Sequence, residues 1–296
     1  MPLNLHLLRI FTAVAERGNI SRAAQALHIS QPAVTKAIRE LEKQSGVLLL
    51  ERGARGVRLT ESGAVLHEHA RAIFAAEQVA EDELQALRGL HGGTLRIGAS
   101  LTVANYFLPP YIAKFHGLHP HLQLRLTNGN TETIERLLVD YKLDVALVEG
   151  PIHHDRITAR KWRDDELCIV VGSQHPLAVR EDLTAKDLEE MRWVVREPGS
   201  GTREVIEEAF QSRGFSWKHT LEINSTAAIK QTVASSDELV AFVSSHSAAD
   251  QIALGKLHVL QVPELKITRP LNYLYLKNRP LGIAARAFEK FISQPL

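Results

Sequence analysis

From Leu5 the residues Leu5, Leu8, Phe11 or Thr12, and Ala15 recur in steps of three and four, the spacing of a helix with one buried face, and Gly18-Asn19 marks its end. Ser21 is placed to cap a second, short helix through Ala23, Ala24 and Leu27, whose small residues permit a close helix crossing, and His28-Ile29 is the turn that follows. Ser30 then caps a third helix that tolerates Pro32 in its first turn, where backbone N–H groups have no helical partner, and Gly46 closes it. Along that third helix Val34, Ile38 and Leu41 form one apolar stripe, leaving Gln31, Thr35, Lys36 and Arg39 to face outward. Residues 48–52 and 57–60 read as two short strands around a glycine-bounded turn that carries Arg52, Arg55 and Arg58.

Beyond Thr60, a possible N-cap, no proline interrupts a stretch rich in Ala, Glu and Leu until well past Gly89, so the pattern predicts one long helix ending there. Leu66, Ala70, Ile73, Ala80, Leu84 and Leu87 fall on alternating three- and four-residue steps interrupted at Glu77, which is coiled-coil spacing and implies a partner helix. Packing of this stripe on its own domain is the other reading. After the break at His91-Gly92-Gly93, short apolar runs alternate with helical ones. Strands are expected at 95–99, 122–126, 145–148, 167–171, 193–195, 221–223, 239–243 and 274–276, with helices such as 203–210, 227–234 and 284–292 among them. This order fits two small doubly wound α/β subdomains.

Charge sharpens the division. The whole chain of 296 residues carries a formal net charge of +1, yet residues 1–60 hold nine Lys and Arg against four acidic residues, and the remainder holds 26 against 30. A basic head on a mildly acidic body is the pattern of a protein whose head alone meets phosphate. Outward polar and basic side chains on the third helix are then suited to base edges and phosphates, and the three arginines of the turn to a minor groove. The single cysteine, Cys168, lies in an apolar run and reads as a buried strand residue, with no internal disulfide and no Cys-based metal site. No run of about 18 uncharged apolar residues exists, and the N-terminus lacks the features of an export signal, so a cytoplasmic protein without membrane contact is expected. The cluster His116, His119, His121 and the pair His153-His154 read as surface histidines and not as a metal site, and no nucleophile, zinc-hydrolase or phosphate-loop motif points to catalysis. No cofactor is expected.

The stretch SRAAQALHISQPAVTKAIRELEKQSGVLLLERGARGVRLTESG, residues 21–63, resembles the DNA-binding signature of the LysR-type transcriptional regulators almost position by position. The likeness extends along the chain, and IGASLTVANYFLP, LVEGP and REPGSGTRE resemble a CysL-like subgroup, some members of which respond to inorganic sulfur anions. The resemblance implies an α+β protein: a winged helix-turn-helix at 1–60, a dimerisation helix at 61–89, and a two-lobed, periplasmic-binding-protein-like α/β effector domain at 90–296. Lobe I would comprise about 92–162 and 266–296, lobe II about 163–265, with crossovers near Lys161-Trp162 and Leu265-Lys266. It also implies a homodimer or homotetramer on a pseudo-palindromic duplex operator, with RNA polymerase as a further partner. The DNA-facing set is Ser21, Arg22, Ser30, Gln31, Pro32, Thr35, Lys36, Arg39, Arg52, Arg55 and Arg58. Leu50 stands where the family more often has Phe.

In such a fold the ligand cleft lies at strand C-termini, where helix N-termini offer unpaired N–H groups. Small polar residues follow four predicted strands: Ser100, Leu101 and Thr102; Asn128, Asn130 and Thr131; Ser200, Gly201, Thr202 and Arg203; and Asn224 with Ser225 and Thr226. Together they suggest a cradle for a small anion such as sulfite, sulfate or a carboxylate, with Gly201 admitting a close backbone approach. Glu149 and Glu197 fall near the same mouth and would oppose an anion unless paired, for example with Arg203 or Lys230; hinge hydrogen bonding is their other reading. Two further function classes stay open: a ligand-independent DNA-binding protein, and a solute-binding protein without a regulatory role.

Overall fold

The computed structural model describes residues 3–53, 56–87 and 93–294. The chain forms two compact units, one up to Glu81 and one from Asp82 onward.

In the first unit three helices, α1 (Leu5–Arg17), α2 (Ile20–Leu27) and α3 (Gln31–Ser45), surround a core in which Leu8, Phe11, Val14, Ala23 and Val34 are almost fully buried. Asn4 caps α1, and α1 and α3 end on Gly18 and Gly46, both left-handed with φ of 58° and 73°. That conformation is cheap only without a Cβ and lets the cap N–H reach back to the last turn. The cap of α2 departs from expectation. Asn19, extended at φ −155° and ψ 125°, accepts the Arg22 N–H at 3.0 Å, so Ser21 sits inside the first turn and is exposed.

Strands β1 (Leu50–Gly53) and β2 (Gly56–Leu59) pair antiparallel with Leu50 opposite Leu59 and Glu51 opposite Arg58. The first strand starts later than the apolar run suggests because the Glu42 carboxylate accepts the N–H groups of Leu49 and Leu50, at 2.9 and 3.2 Å, ahead of any strand partner. Thr60 caps α4 (Glu61–Leu87) by accepting the Gly63 N–H at 2.9 Å. The expected end at Gly89 lies outside the described residues.

In the second unit β3 (Thr94–Ser100) leads through a π-helical turn, Val103–Phe107, into α5 (Pro109–Leu118), followed by β4 (Gln123–Gly129), α6 (Thr131–Val139) and β5 (Val145–Glu149). Then come the 16-residue β6 (Ile157–Gly172), β7 (Arg192–Val195), α7 (Gly201–Ser212), β8 (His219–Glu222), α8 (Thr226–Ala234) and β9 (Leu239–Ser244). The chain closes with α9 (Ser245–Ala253), β10 (Leu257–Leu260), β11 (Ile267–Leu276) and α10 (Ile283–Ile292). One nine-stranded mixed sheet runs β4-β3-β5-β11-β6-β9-β7-β8, with β10 on β6. Its halves are the two lobes. Around one half, β3 and β5 pack against α5 and α10 on one side and α6 on the other. Around the other half, β7 and β9 pack against α7 on one side and α8 and α9 on the other.

The lobes are joined by continuous strands instead of linkers: residues 157–167 of β6 pair antiparallel with the whole of β11, and β6 then runs on to pair with β9 and β10. Their register shifts where Leu271 faces Arg163 and Asn272 faces Lys161, leaving Trp162 as the extra residue of a bulge. A bulge bends and twists a strand, and this one falls at Trp162, within β6.

Candidate nucleic-acid interface and interlobe site

α3 is fixed on one side and open on the other. Val34, Ala37, Ile38 and Leu41 are buried, while Gln31, Pro32, Thr35, Lys36 and Arg39 line one concave strip with Glu40 and Lys43. Ser30 Oγ accepts the Ala33 N–H at 3.3 Å, which caps the start of α3. Ser21 and Arg22 are exposed at the start of α2, and Arg58 is exposed on β2. Arg55 and the side chains of Arg52 and Leu87 lie outside the described residues.

The stripe assigned to dimerisation divides between two faces of α4. Ala70 is completely buried in the core of the first unit and Leu66 packs against that core, so these two serve their own domain. Ile73, Ala80 and Leu84 are exposed, and Val65, which the spacing argument leaves out, is 55% exposed. Arg9 holds the inner face, reaching Glu77 at 2.5 Å with its guanidinium 4.4 Å from the Phe74 ring centre.

Between the lobes the small polar residues converge on a carboxylate that belongs to the protein. Glu149, at the end of β5 and only 1% exposed, accepts hydrogen bonds from Ser100 Oγ and, at 3.0 Å, from Thr202 Oγ1. Thr131 Oγ1 donates to the Glu149 carbonyl at 3.0 Å and accepts the Gly201 N–H at 3.3 Å. Gly201 does permit a close approach, but of Glu149 and not of a ligand: a Cβ there would stand 2.0 Å from the Glu149 carbonyl oxygen. The hydroxyls expected to hold an anion therefore already hold one, because a buried carboxylate without such donors would be far more costly than an outside ligand site left empty.

Behind Thr202 lies an ion pair that the strand patterning does not bring out. Arg269 Nη1 donates to Thr202 Oγ1 at 2.7 Å, its Nε donates to Asp165 at 2.9 Å, and Ser244 Oγ donates to Asp165 at 2.7 Å. Arg269 and Asp165 are both buried. A charged residue at an inward strand position inside ITRPLNYLYL is the available signal.

The remaining candidates are used differently. Glu197 pairs with its neighbour Arg196 through two contacts of 2.8 and 2.9 Å, not with Arg203 or Lys230. Arg203 bonds Glu207 at 2.7 Å and Glu222 at 3.0 Å, contacts that raise its pKa further. Lys230 is buried, donates to the Ser247 carbonyl and lies 4.5 Å from the Tyr106 ring centre, joining α8 to the π-helical turn. Asn130 caps α6 and reaches the Pro198 carbonyl at 3.3 Å. Thr102 is buried and Leu101 half-buried beside Ser100, whereas Asn128 and Asn224 are exposed and make no bond to the Glu149 group among the described residues. Burial pushes the Cys168 thiol up to about 12, so its thiolate is not available for redox chemistry. Among the described residues no three His, Cys, Asp or Glu side chains are arranged to hold a metal, and no helix is long and apolar enough to cross a membrane.

Two family models match: the bacterial regulatory helix-turn-helix protein, lysR family, over residues 5–64, and the LysR substrate binding domain over 88–295. The RuBisCO operon transcriptional regulator of Allochromatium vinosum is 35% identical over 292 residues, covering 99% of this chain and 96% of that one. The HTH-type transcriptional regulator CysL of Bacillus subtilis is 33% identical over 269 residues, covering 91% and 90%. A full-length OxyR variant from Pseudomonas aeruginosa superposes with a TM-score of 0.76 at 23% identity over 99% of this chain and 94% of its own. The CcmR regulatory domain of Synechocystis, solved in complex with 2-PG, gives 0.63 at 25% identity over 68% of this chain and 96% of its own. A helix-turn-helix head with an open third helix, followed by a two-lobed body whose polar residues meet between the lobes, is thus found with sequence matches to both family models, and the chain belongs to the LysR family of bacterial transcriptional regulators.

Proposed function

We propose that this protein binds a two-fold related operator as a homo-oligomer, with α3 in successive major grooves and the β1–β2 wing beside them, inside the cytoplasm. The observation that supports this reading most directly is the strip of Gln31, Thr35, Lys36 and Arg39, open on one side of a helix whose other side is locked into the core. Base edges are read by side chains that both donate and accept, and phosphates by fixed cations. The exposed Val65, Ile73, Ala80 and Leu84 on α4 are the surface that a second copy would cover.

The effector is a small anion, and it competes with Glu149. Ser100 belongs to β3 and Thr202 to α7, so the Glu149 carboxylate links one lobe to the other. Two carboxylates, Glu149 and Asp165, already share the single guanidinium of Arg269, so a further anion enters only by taking the place of the Glu149 side chain. Sulfite, sulfate, small carboxylates and 2-PG are the compounds to try.

Selection from random duplexes followed by fluorescence anisotropy tests the DNA reading. Gln31→Ala should reduce the ratio of operator to unrelated-duplex affinity. Lys36→Ala should weaken both about equally and lower the salt slope by about 0.9 for each phosphate that it no longer neutralises. Absence of any preferred duplex, or two variants indistinguishable from the parent, overturns this docking.

A further inference from the structure

A second set of contacts crosses between the lobes at the π-helical turn Val103–Phe107, which closes where the Leu108 N–H donates to the Val103 carbonyl at 2.9 Å. In a continuing α-helix the carbonyls of Asn105 and Tyr106 would accept from residues 109 and 110, but both are proline and have no N–H. Lobe II supplies Tyr106 with a donor. His246 Nε2, on α9, stands 3.0 Å from the Tyr106 carbonyl oxygen, and because a carbonyl only accepts, that nitrogen carries the proton. The same imidazole stacks on Phe107, with ring centres 4.5 Å apart and planes inclined by 26°.

Lys230 on α8 depends on the same turn. It is 6% exposed and meets no carboxylate among the described residues; its ammonium donates to the Ser247 carbonyl and lies 4.5 Å from the Tyr106 ring centre. Lobe II therefore carries a buried cation whose second partner belongs to lobe I, and withdrawal of that ring leaves the cation short of compensation.

From Lys230 a chain of buried polar groups runs back to Glu149. The Ser247 hydroxyl donates to the Ser244 carbonyl at 2.8 Å, and the Ser244 hydroxyl donates to Asp165 at 2.7 Å. Asp165 is bonded to Arg269, Arg269 to Thr202 and Thr202 to Glu149, as described above. All of these side chains are buried, so a partner lost anywhere along the chain is not replaced by bulk water. Both ends of the chain rest on lobe I: Glu149 with Ser100 at one end, and Tyr106, six residues further along, at the other.

We propose that Tyr106 and Phe107 with Lys230 and His246 form a second interlobe clasp, and that this chain makes the clasp and the Glu149 contact loosen together. The two ends are tied without any ligand. On the anion reading above, on which this consequence rests, displacement of Glu149 then releases the lobes along their whole front instead of letting them pivot about the π-helical turn.

Hydrogen exchange of the full chain without anion tests the clasp, so its failure leaves the anion reading standing. Two amides report on it. The Leu108 N–H reads the turn, and the Gly201 N–H, held by Thr131 of the other lobe, reads the Glu149 end. His246→Ala and Lys230→Met should each speed exchange at Leu108 by about tenfold or more, with α10 of the same lobe unchanged. His246→Gln, which keeps an N–H donor, should lie nearer the parent. His246→Ala should also speed exchange at Gly201, and that distant response should shrink in a Ser244→Ala background, where the chain is cut midway and neither end is touched. Leu108 exchange that stays at the parent rate in both variants overturns the clasp, as does a rise that α10 shares in both. A Gly201 amide that ignores His246→Ala, or responds equally with Ser244 replaced, overturns the coupling.

Discussion

The hydroxyl of Thr202 stands between a guanidinium and a carboxylate, and that position explains why short polar side chains mark this site without revealing its occupant. In the sequence Ser100, Thr131 and Thr202 could serve equally as helix caps, ligand donors or internal partners, because each follows a strand and precedes a helix. Which role each takes depends on where Glu149 ends up, and β5 delivers that carboxylate into the middle of them. His175 illustrates a different residue-level effect. It is 4% exposed, its Nδ1 accepts the Leu177 N–H at 3.1 Å, and burial lowers its pKa from 6.5. A histidine held neutral in the folded state contributes stability above about pH 6.5 that is lost as pH falls towards its folded pKa, because the unfolded chain takes up the proton first. Asn offers a cap oxygen without titrating. His175→Asn should therefore unfold close to the parent at pH 7.5 and at progressively higher temperature than the parent from pH 6.5 to 5.5, followed by calorimetry. An unchanged difference across that range would contradict the assignment.

At the scale of elements, the helix-turn-helix is legible because its signals are local: caps, a turn and one apolar stripe lie close together in the sequence. Only the second cap differs, since Asn19 precedes Ser21 and captures the Arg22 N–H first. The body is legible as alternating strands and helices, but α9 and β10 carry no pattern that marks them, and only 167–171 of β6 stands out as a strand. The first half of β6 carries Arg, Lys and Asp with few apolar residues because most of it is exposed or half-buried, and the Trp162 bulge interrupts its period of two. In α4 the limit is one of principle. Steps of three and four describe a helix with one apolar side, and α4 has two, so the spacing groups Leu66 and Ala70 with Ile73 and Leu84 although the first pair faces the core. Substitution separates the two faces. Ile73→Asp with Leu84→Asp should leave the unfolding temperature of dilute protein little changed while shifting sedimentation towards monomer. Ala70→Asp should instead place an unpaired charge in the core and cost about 3–5 kcal/mol of stability in the N-terminal unit. Retention of the oligomer by the exposed-face variant would remove α4 as the contact.

At the scale of the whole molecule, a ligand in one unit can alter DNA binding by another only through different affinities for two conformations. Under the proposed anion reading the Glu149 carboxylate has two states: bonded to both Ser100 and Thr202, as in the structure, or displaced from them by the anion. Thermodynamic linkage then requires that an anion which changes operator affinity by some factor has its own affinity changed by the same factor when operator is bound, with about 5- to 150-fold as the ordinary range. Two substitutions act on this coupling in opposite ways. Glu149→Gln removes the competing charge, so the anion should bind more tightly and the variant should respond at lower anion concentration. Thr202→Val removes the hydroxyl on the far lobe while leaving Ser100 and Glu149 in place, so the anion should lose its ability to tell the two states apart, and operator affinity with and without anion should converge. Anisotropy titrations of operator at several anion concentrations, repeated as anion titrations with and without operator, measure both factors. The scheme requires apo operator affinity in Thr202→Val to match one of the parent's two limits, since the variant still has both conformations available. An apo affinity outside those limits would mean that Thr202 supports the fold of its lobe and carries no signal.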